Sequence, residues 1–196
     1  MIYICENILD FDIEEALRTV SVERRESALR YRFDIDRRQS LAAYLLLQHG
    51  LREEYALDIM PRLEYDDRGK PRMLDYPDIH FNISHCRRGV ACAISRVPIG
   101  VDIEVIDAID WDVARRVMNA AQLDAIAASP NPERAFCKLW TIKESILKYS
   151  GEGLCDDLPR LAIDNYTFAH YHGDSYICTA CCSRSVEHEE FMLVGL

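Results

Sequence analysis

Apolar residues recur in two rhythms along this chain, and their order predicts its architecture. Alternating or continuous apolar runs predict strands at residues 1–5, 62–66, 79–84 and 89–95, then at 99–105, 160–164, 166–171, 175–182 and 190–195. Apolar positions three and four apart predict helices over 12–19, 22–32 and 35–54, and again over 111–118, 120–128 and 132–150. Each half thus reads as one strand, three helices and about three strands. That repetition predicts an α+β fold, a pseudo-twofold duplication of similar halves at residues 1–98 and 99–196 that form one compact unit with the active site between them. Residue-level similarity between the halves is weak, so the order of elements alone carries the duplication. Turn residues agree with the division: Pro98 precedes the central strand, Pro130 and Pro132 open the last long helix, and Gly151 and Gly153 end it.

Composition narrows the class. With 49% hydrophobic and 29% charged residues in 196, the chain reads as an ordinary globular protein. A net charge of −10 argues against nucleic-acid binding, which relies on many cations meeting phosphates. Seven arginines nevertheless crowd residues 18 to 38, among them Arg24, Arg25 and Arg30; neighbouring acids make a solvated helical face the plain reading, with one or two left for a phosphate. No apolar run is long enough to span a bilayer and the first residues carry no basic leader, so the expectation is a cytoplasmic protein with no membrane partner. Eight cysteines without an export signal read as reduced thiols. Cys178, Cys181 and Cys182, with His170 and His172 nearby, allow a zinc or redox reading, set against buried cysteines acting as small hydrophobes in a strand.

Candidate chemistry lies in three short stretches. Within Gly100-Val101-Asp102-Ile103-Glu104, a strand would send both carboxylates to one face, roughly 6 to 7 Å apart along it. Within Trp140-Thr141-Ile142-Lys143-Glu144-Ser145-Ile146-Leu147-Lys148, helical spacing puts Glu144 and Lys148 on one face. A solvated sheet face and an ordinary i,i+4 ion pair explain each spacing taken alone. The chain has 19 Arg and 4 Lys, yet Lys138, Lys143 and Lys148 fall within eleven residues, which favours a point contact to phosphate. Three acids and a lysine can hold a divalent cation and a diphosphate together. Phe81-Asn82-Ile83-Ser84-His85 ends a strand with a hydroxyl and an imidazole; its Asn82 sequon is set aside for want of an export signal, and Ser84 lacks the glycine elbow of a nucleophile.

Taken in sequence order with Gly69-Lys70-Pro71 and Gly151-Glu152-Gly153-Leu154, these motifs resemble the 4′-phosphopantetheinyl transferases of the surfactin-synthetase type over nearly the whole chain. The resemblance implies the pseudo-dimeric α+β fold of that family and transfer of the phosphopantetheine arm of coenzyme A to a serine of an apo acyl or peptidyl carrier protein, releasing adenosine 3′,5′-bisphosphate. It implies Asp102, Glu104 and Glu144 as Mg²⁺ ligands and Lys148 on the diphosphate. Ser84 and His85 would contact phosphate oxygens, with Lys70, Arg24 and Ser40 around the 3′-phosphate and adenosine. Asp102, Glu144 and Lys148 are the expected catalytic residues, with Glu144 or a metal-bound water as the base. Arg24 and Ser27 depart from the family's familiar basic pair, for which Arg25 or Arg30 could compensate. The family's form predicts a functional monomer. Carrier docking is expected on the helix at 111–118 and on to Leu123. A Mg²⁺-dependent coenzyme A hydrolase and a non-catalytic coenzyme A or carrier-binding module are the alternatives.

Overall fold

The computed structural model describes residues 1–6, 8–151, 153, 157–183 and 190–196. Glu152 and Leu154, named in the last motif above, and Cys155 lie outside them. The elements run β1 (Ile2–Cys5), α1 (Ile13–Thr19), α2 (Val22–Leu29), α3 (Asp34–Tyr55), β2 (Leu63–Tyr65), β3 (Pro71–Met73), β4 (His80–Cys86), β5 (Gly89–Ser95) and β6 (Ile99–Val105). They continue with α4 (Trp111–Val117), α5 (Ala120–Ala127), α6 (Pro132–Ser150), β7 (Tyr166–His172), β8 (Tyr176–Ser183) and β9 (Phe191–Leu193). The expected α+β class is the observed one. No helix among the described residues is long and apolar enough to cross a membrane.

Local chemistry sets the helix ends. Asp12, Ser21 and Asp110 accept backbone N–H bonds at the starts of α1, α2 and α4, while Asn119 and Gln122 form a reciprocal cap on α5. On α6, Asn131 caps the first turn ahead of Pro132, and Gly151 stops the helix in the left-handed region at φ 72°.

Four strands form one sheet in the order β4-β5-β1-β9, three form another in the order β6-β8-β7, and β2 and β3 make a small hairpin. Side-chain alternation along β1 sorts two cores. Tyr3 and Cys5 face Ala42, Leu46 and Leu47 of α3, whereas Ile2 and Ile4 face Val101 and Ile103 of β6 and Cys178 and Ala180 of β8. On the outer side of the second sheet, Ile142 and Ile146 of α6 cover Cys181. The layers are therefore α3, first sheet, second sheet, α6. β4 and β6 run side by side where the sheets meet, and there the buried Val101 N–H donates to Asn82 Oδ1 at 2.8 Å.

One expectation is corrected, and one strand is added. Residues 160–164 form no strand: Leu158–Arg160 and Ile163–Asn165 are single 3₁₀ turns. Pro159 and Asp164-Asn165 favour turning backbone, and Leu161 and Ile163 drop as plugs against α6 without a strand neighbour. The segment at 71–73, unforeseen as a strand, pairs with β2 in an antiparallel hairpin whose second strand begins on Pro71. β9, from the C-terminal end, joins the first sheet parallel to β1, with Ile2 N–H donating to Glu190 O and Val194 N–H to Ile4 O.

Candidate active site

Glycine governs how the site is assembled. On β6, Gly100, Asp102 and Glu104 share the face turned toward α6. A Cβ on Gly100 would collide with Ser145 O and lie 2.5 Å from Tyr149 N. The helix backbone therefore rests directly on the strand, which brings Glu144 and Lys148 down beside Asp102. The register Asp102 to Thr179 holds this strand on β8.

Asp102 is 2% exposed and carries the strongest contacts of the site. Its Oδ1 accepts Lys148 Nζ at 2.6 Å and Ser84 Oγ at 2.9 Å, while Ser84 Oγ itself accepts from Lys148 Nζ at 2.6 Å. Ser84 reaches this triangle from β4, so both sheets and α6 contribute to it. Burial and the neighbouring Asp102 charge push Glu104 up to about 7, against the pull of Lys148 and a hydrogen bond from Trp140. Glu144 rises for the same two leading reasons, opposed by Lys148. One ammonium thus serves three carboxyl groups. Asp102 Oδ2 and Glu144 Oε1 are buried without a partner among the described residues.

Those orphaned oxygens, hard donors in a pocket of excess negative charge, fit a divalent cation such as Mg²⁺. Among the described residues no group of three or more His, Cys, Asp and Glu is already gathered around a common point for one. Asp102, Glu104 and Glu144 would have to turn toward it.

Two clefts flank the cluster and share Pro71 and Ile83 as their dividing wall. The first, about 200 Å³, holds Arg24, Tyr31, Ser40, Tyr44 and His85. Arg24 donates to Ser40 Oγ at 3.1 Å and lies 5.1 Å from the Tyr44 ring centroid, a cation over an aromatic face. The second, about 290 Å³, holds Arg68, Lys70, Glu144 and Lys148. Lys70 therefore stands apart from Arg24 and Ser40, and its Nζ donates to Lys148 O at 2.6 Å and Tyr149 O at 2.9 Å at the C-terminus of α6. Ser84 is buried, whereas His85 is exposed and lines the first cleft.

Other expectations meet firm geometry. Lys143, counted in the lysine cluster, is fully buried and donates to Val117 O and Leu158 O at 2.7 Å each, away from the site. Arg25 is committed to Leu17 O at 2.6 Å, while Arg30 is exposed beside Ser27 in a cleft next to Arg24. The zinc reading of the cysteine cluster fails because Cys178 faces the sheet interface and Cys181 faces α6, with both thiols pushed up by burial. Asn82 and Gly100 were quoted within motifs but not foreseen as the joint between the sheets and the seat of α6. An asparagine between the apolar Phe81 and Ile83 and a glycine two residues before the first acid were the available signals.

Residues 98–189 match the model of the 4'-phosphopantetheinyl transferase superfamily, and residues 9–96 match a model described as 4'-phosphopantetheinyl transferase, N-terminal. The chain is 37% identical over 145 residues to the 4'-phosphopantetheinyl transferase psf-1 of Bacillus pumilus, a match covering 72% of this chain and 62% of that protein. It is 33% identical over 156 residues to the 4'-phosphopantetheinyl transferase Sfp of Bacillus subtilis (strain 168), covering 78% of this chain and 70% of that protein. The matched region is thus about two thirds of each relative's length. With both halves matched in order and the Bacillus subtilis protein covered over most of its length, the chain belongs to the 4'-phosphopantetheinyl transferase superfamily.

Proposed function

We propose that this protein transfers the 4′-phosphopantetheine arm of coenzyme A to a serine of an apo acyl or peptidyl carrier protein. The observation that carries the reading is the buried Asp102, Ser84 and Lys148 triangle with two orphaned carboxylate oxygens, set between two clefts that both contain cations. A dianionic diphosphate and a 3′-phosphate need such separated positive groups. Lys148 with Arg68 in the second cleft would face the diphosphate, and Arg24 with Ser40 in the first would face the 3′-phosphate and adenosine, with His85 beside them. Lys70 would steady the end of α6 and add charge to the second cleft.

In the reaction the carrier serine oxygen bonds to the pantetheine-side phosphorus, and the bond from that phosphorus to the bridging oxygen breaks. The bridging oxygen leaves on adenosine 3′,5′-bisphosphate, and Lys148 stabilises the negative charge that grows there. Glu144, whose carboxyl is pushed up by burial, takes the serine proton. Asp102, Glu104 and Glu144 would hold Mg²⁺, which supplies charge neutralisation on the diphosphate when bound.

The two halves, 1–98 and 99–196, would be related by a pseudo-twofold axis, each sheet backed by one long helix, so that a monomer is complete. Trp111 and Val113 on α4 are exposed beside Arg115 and Arg116, a mixed apolar and basic face suited to an acidic carrier. The test is carrier-dependent release of adenosine 3′,5′-bisphosphate from coenzyme A. Release that needs an apo carrier supports the transferase; equal release without one makes the protein a hydrolase, and none with a panel of apo carriers makes it a binding module.

A further inference from the structure

A buried carboxylate needs a counter-ion, and Asp102 obtains one from within the chain. Its side chain is 3% exposed, whereas that of Lys148 is 29% exposed and reaches in from the second cleft. The ammonium donates to Asp102 and Ser84, each at 2.6 Å, so it occupies the space directly against the carboxylate that a metal would have to approach. A divalent cation placed there beside the ammonium would be repelled at close range in a site with little water. Without the ammonium, the negative charge that Asp102 exerts on Glu104 and Glu144 would lose its nearest opposing cation, which favours a metal there. Asp102 Oδ2, left without a partner, shows that one ammonium does not exhaust what the carboxylate can bind.

We propose that Lys148 is the resident counter-ion of Asp102 and exchanges with the divalent cation, moving to the diphosphate as the metal takes its place. The inference rests on the phosphopantetheine-transfer reading and deepens it. Lys148 serves two partners in turn: Asp102 in the resting protein and phosphate oxygens in the loaded one. The partly exposed side chain and the cleft at its side give the ammonium somewhere to go. Free metal consequently binds the resting protein weakly, and metal and diphosphate bind together. The lysine also offsets part of the negative charge of the acid site between turnovers.

The experiment measures Mn²⁺ binding directly, from the paramagnetic resonance signal of the free ion, with no coenzyme A present. Wild type is compared with Lys148→Met, with Lys148→Gln, and with Lys148→Met combined with Asp102→Asn. The glutamine variant retains a hydrogen-bond donor for Ser84 and Asp102 and guards against misfolding of the methionine variant, and circular dichroism checks each. The expected result is Mn²⁺ affinity at least about tenfold higher in both single variants, with the gain removed by Asp102→Asn, because opposite and like charges at this range change binding by more than one order. Equal or weaker binding in both single variants overturns the exchange. Carrier labelling by wild type is measured separately: intact labelling without the Mn²⁺ gain overturns this inference alone, and the gain without labelling overturns the transferase reading alone.

Discussion

Asp102→Ala removes the acceptor that Lys148 and Ser84 share, leaving an ammonium and a hydroxyl at a buried junction. Lys148 can turn partly to solvent, so the expected loss of stability is about 1–3 kcal/mol, less than for a fully enclosed pair. Urea unfolding measures it, and an unchanged midpoint would contradict the central place given to the pair. Asn82 works at the same scale. Asn82→Leu keeps the bulk but orphans the Val101 N–H, for an expected loss of about 1–3 kcal/mol. In the sequence, strand and helix periods put Asp102 with Glu104 and Glu144 with Lys148 on shared faces, while their joint role rested on the resemblance of the motifs. The contact from Asn82 to Val101 was not legible there, because it joins strands from different sheets.

At the scale of elements, the approach of α6 to β6 is the feature on which the site depends. Gly100→Ala would drive a methyl into backbone atoms of Ser145 and Tyr149, which cannot step aside as a flexible side chain would. The expected loss is about 3 kcal/mol or more, together with loss of transfer activity as Glu144 and Lys148 shift. A variant as stable and active as wild type would show that α6 is not seated by that glycine. On β7, His170 accepts from or donates to Thr179 Oγ1 at 3.0 Å, and Thr179 bonds Thr141 of α6 at 2.7 Å. Burial, then the Lys138 and His172 charges, push His170 down to about 4. Between its ordinary value near 6.5 and that point the unfolded chain binds the extra proton, so this contribution to stability is present above about pH 6.5 and lost as pH falls toward 4. After allowance for solvent screening it amounts to about 1–2 kcal/mol. His170→Phe should flatten this part of the stability curve; parallel curves for the two proteins would refute the assignment. The sequence marked the long helices well because their caps and periods are local. It misread residues 160–164, where alternating Leu161 and Ile163 imitate a strand but Pro159 and Asp164-Asn165 turn the chain.

For the whole molecule, the buried faces of the two sheets pack on each other and β9 returns to β1, so the described structure has contacts that tie the beginning of the chain to its end. Thermal unfolding should therefore be one transition by both far-ultraviolet and tryptophan signals. The proposed completeness of one chain predicts a monomer near 22.6 kDa by sizing. Two resolved transitions would mean that the halves unfold separately. The α+β class was legible in the order of elements, whereas the return of β9 was not, since strand pairing over such separation leaves no local pattern. The position of Lys143 was equally hidden, because a lysine in a motif does not reveal that its ammonium ends on two backbone carbonyls. The most direct measurement is the intact mass of apo acyl and apo peptidyl carrier proteins after incubation with coenzyme A, Mg²⁺ and this protein, beside Glu144→Gln. The account predicts a gain of one phosphopantetheine arm on at least one carrier with wild type and severe loss of that gain in the variant. No gain on either carrier, or full activity in Glu144→Gln, would contradict it.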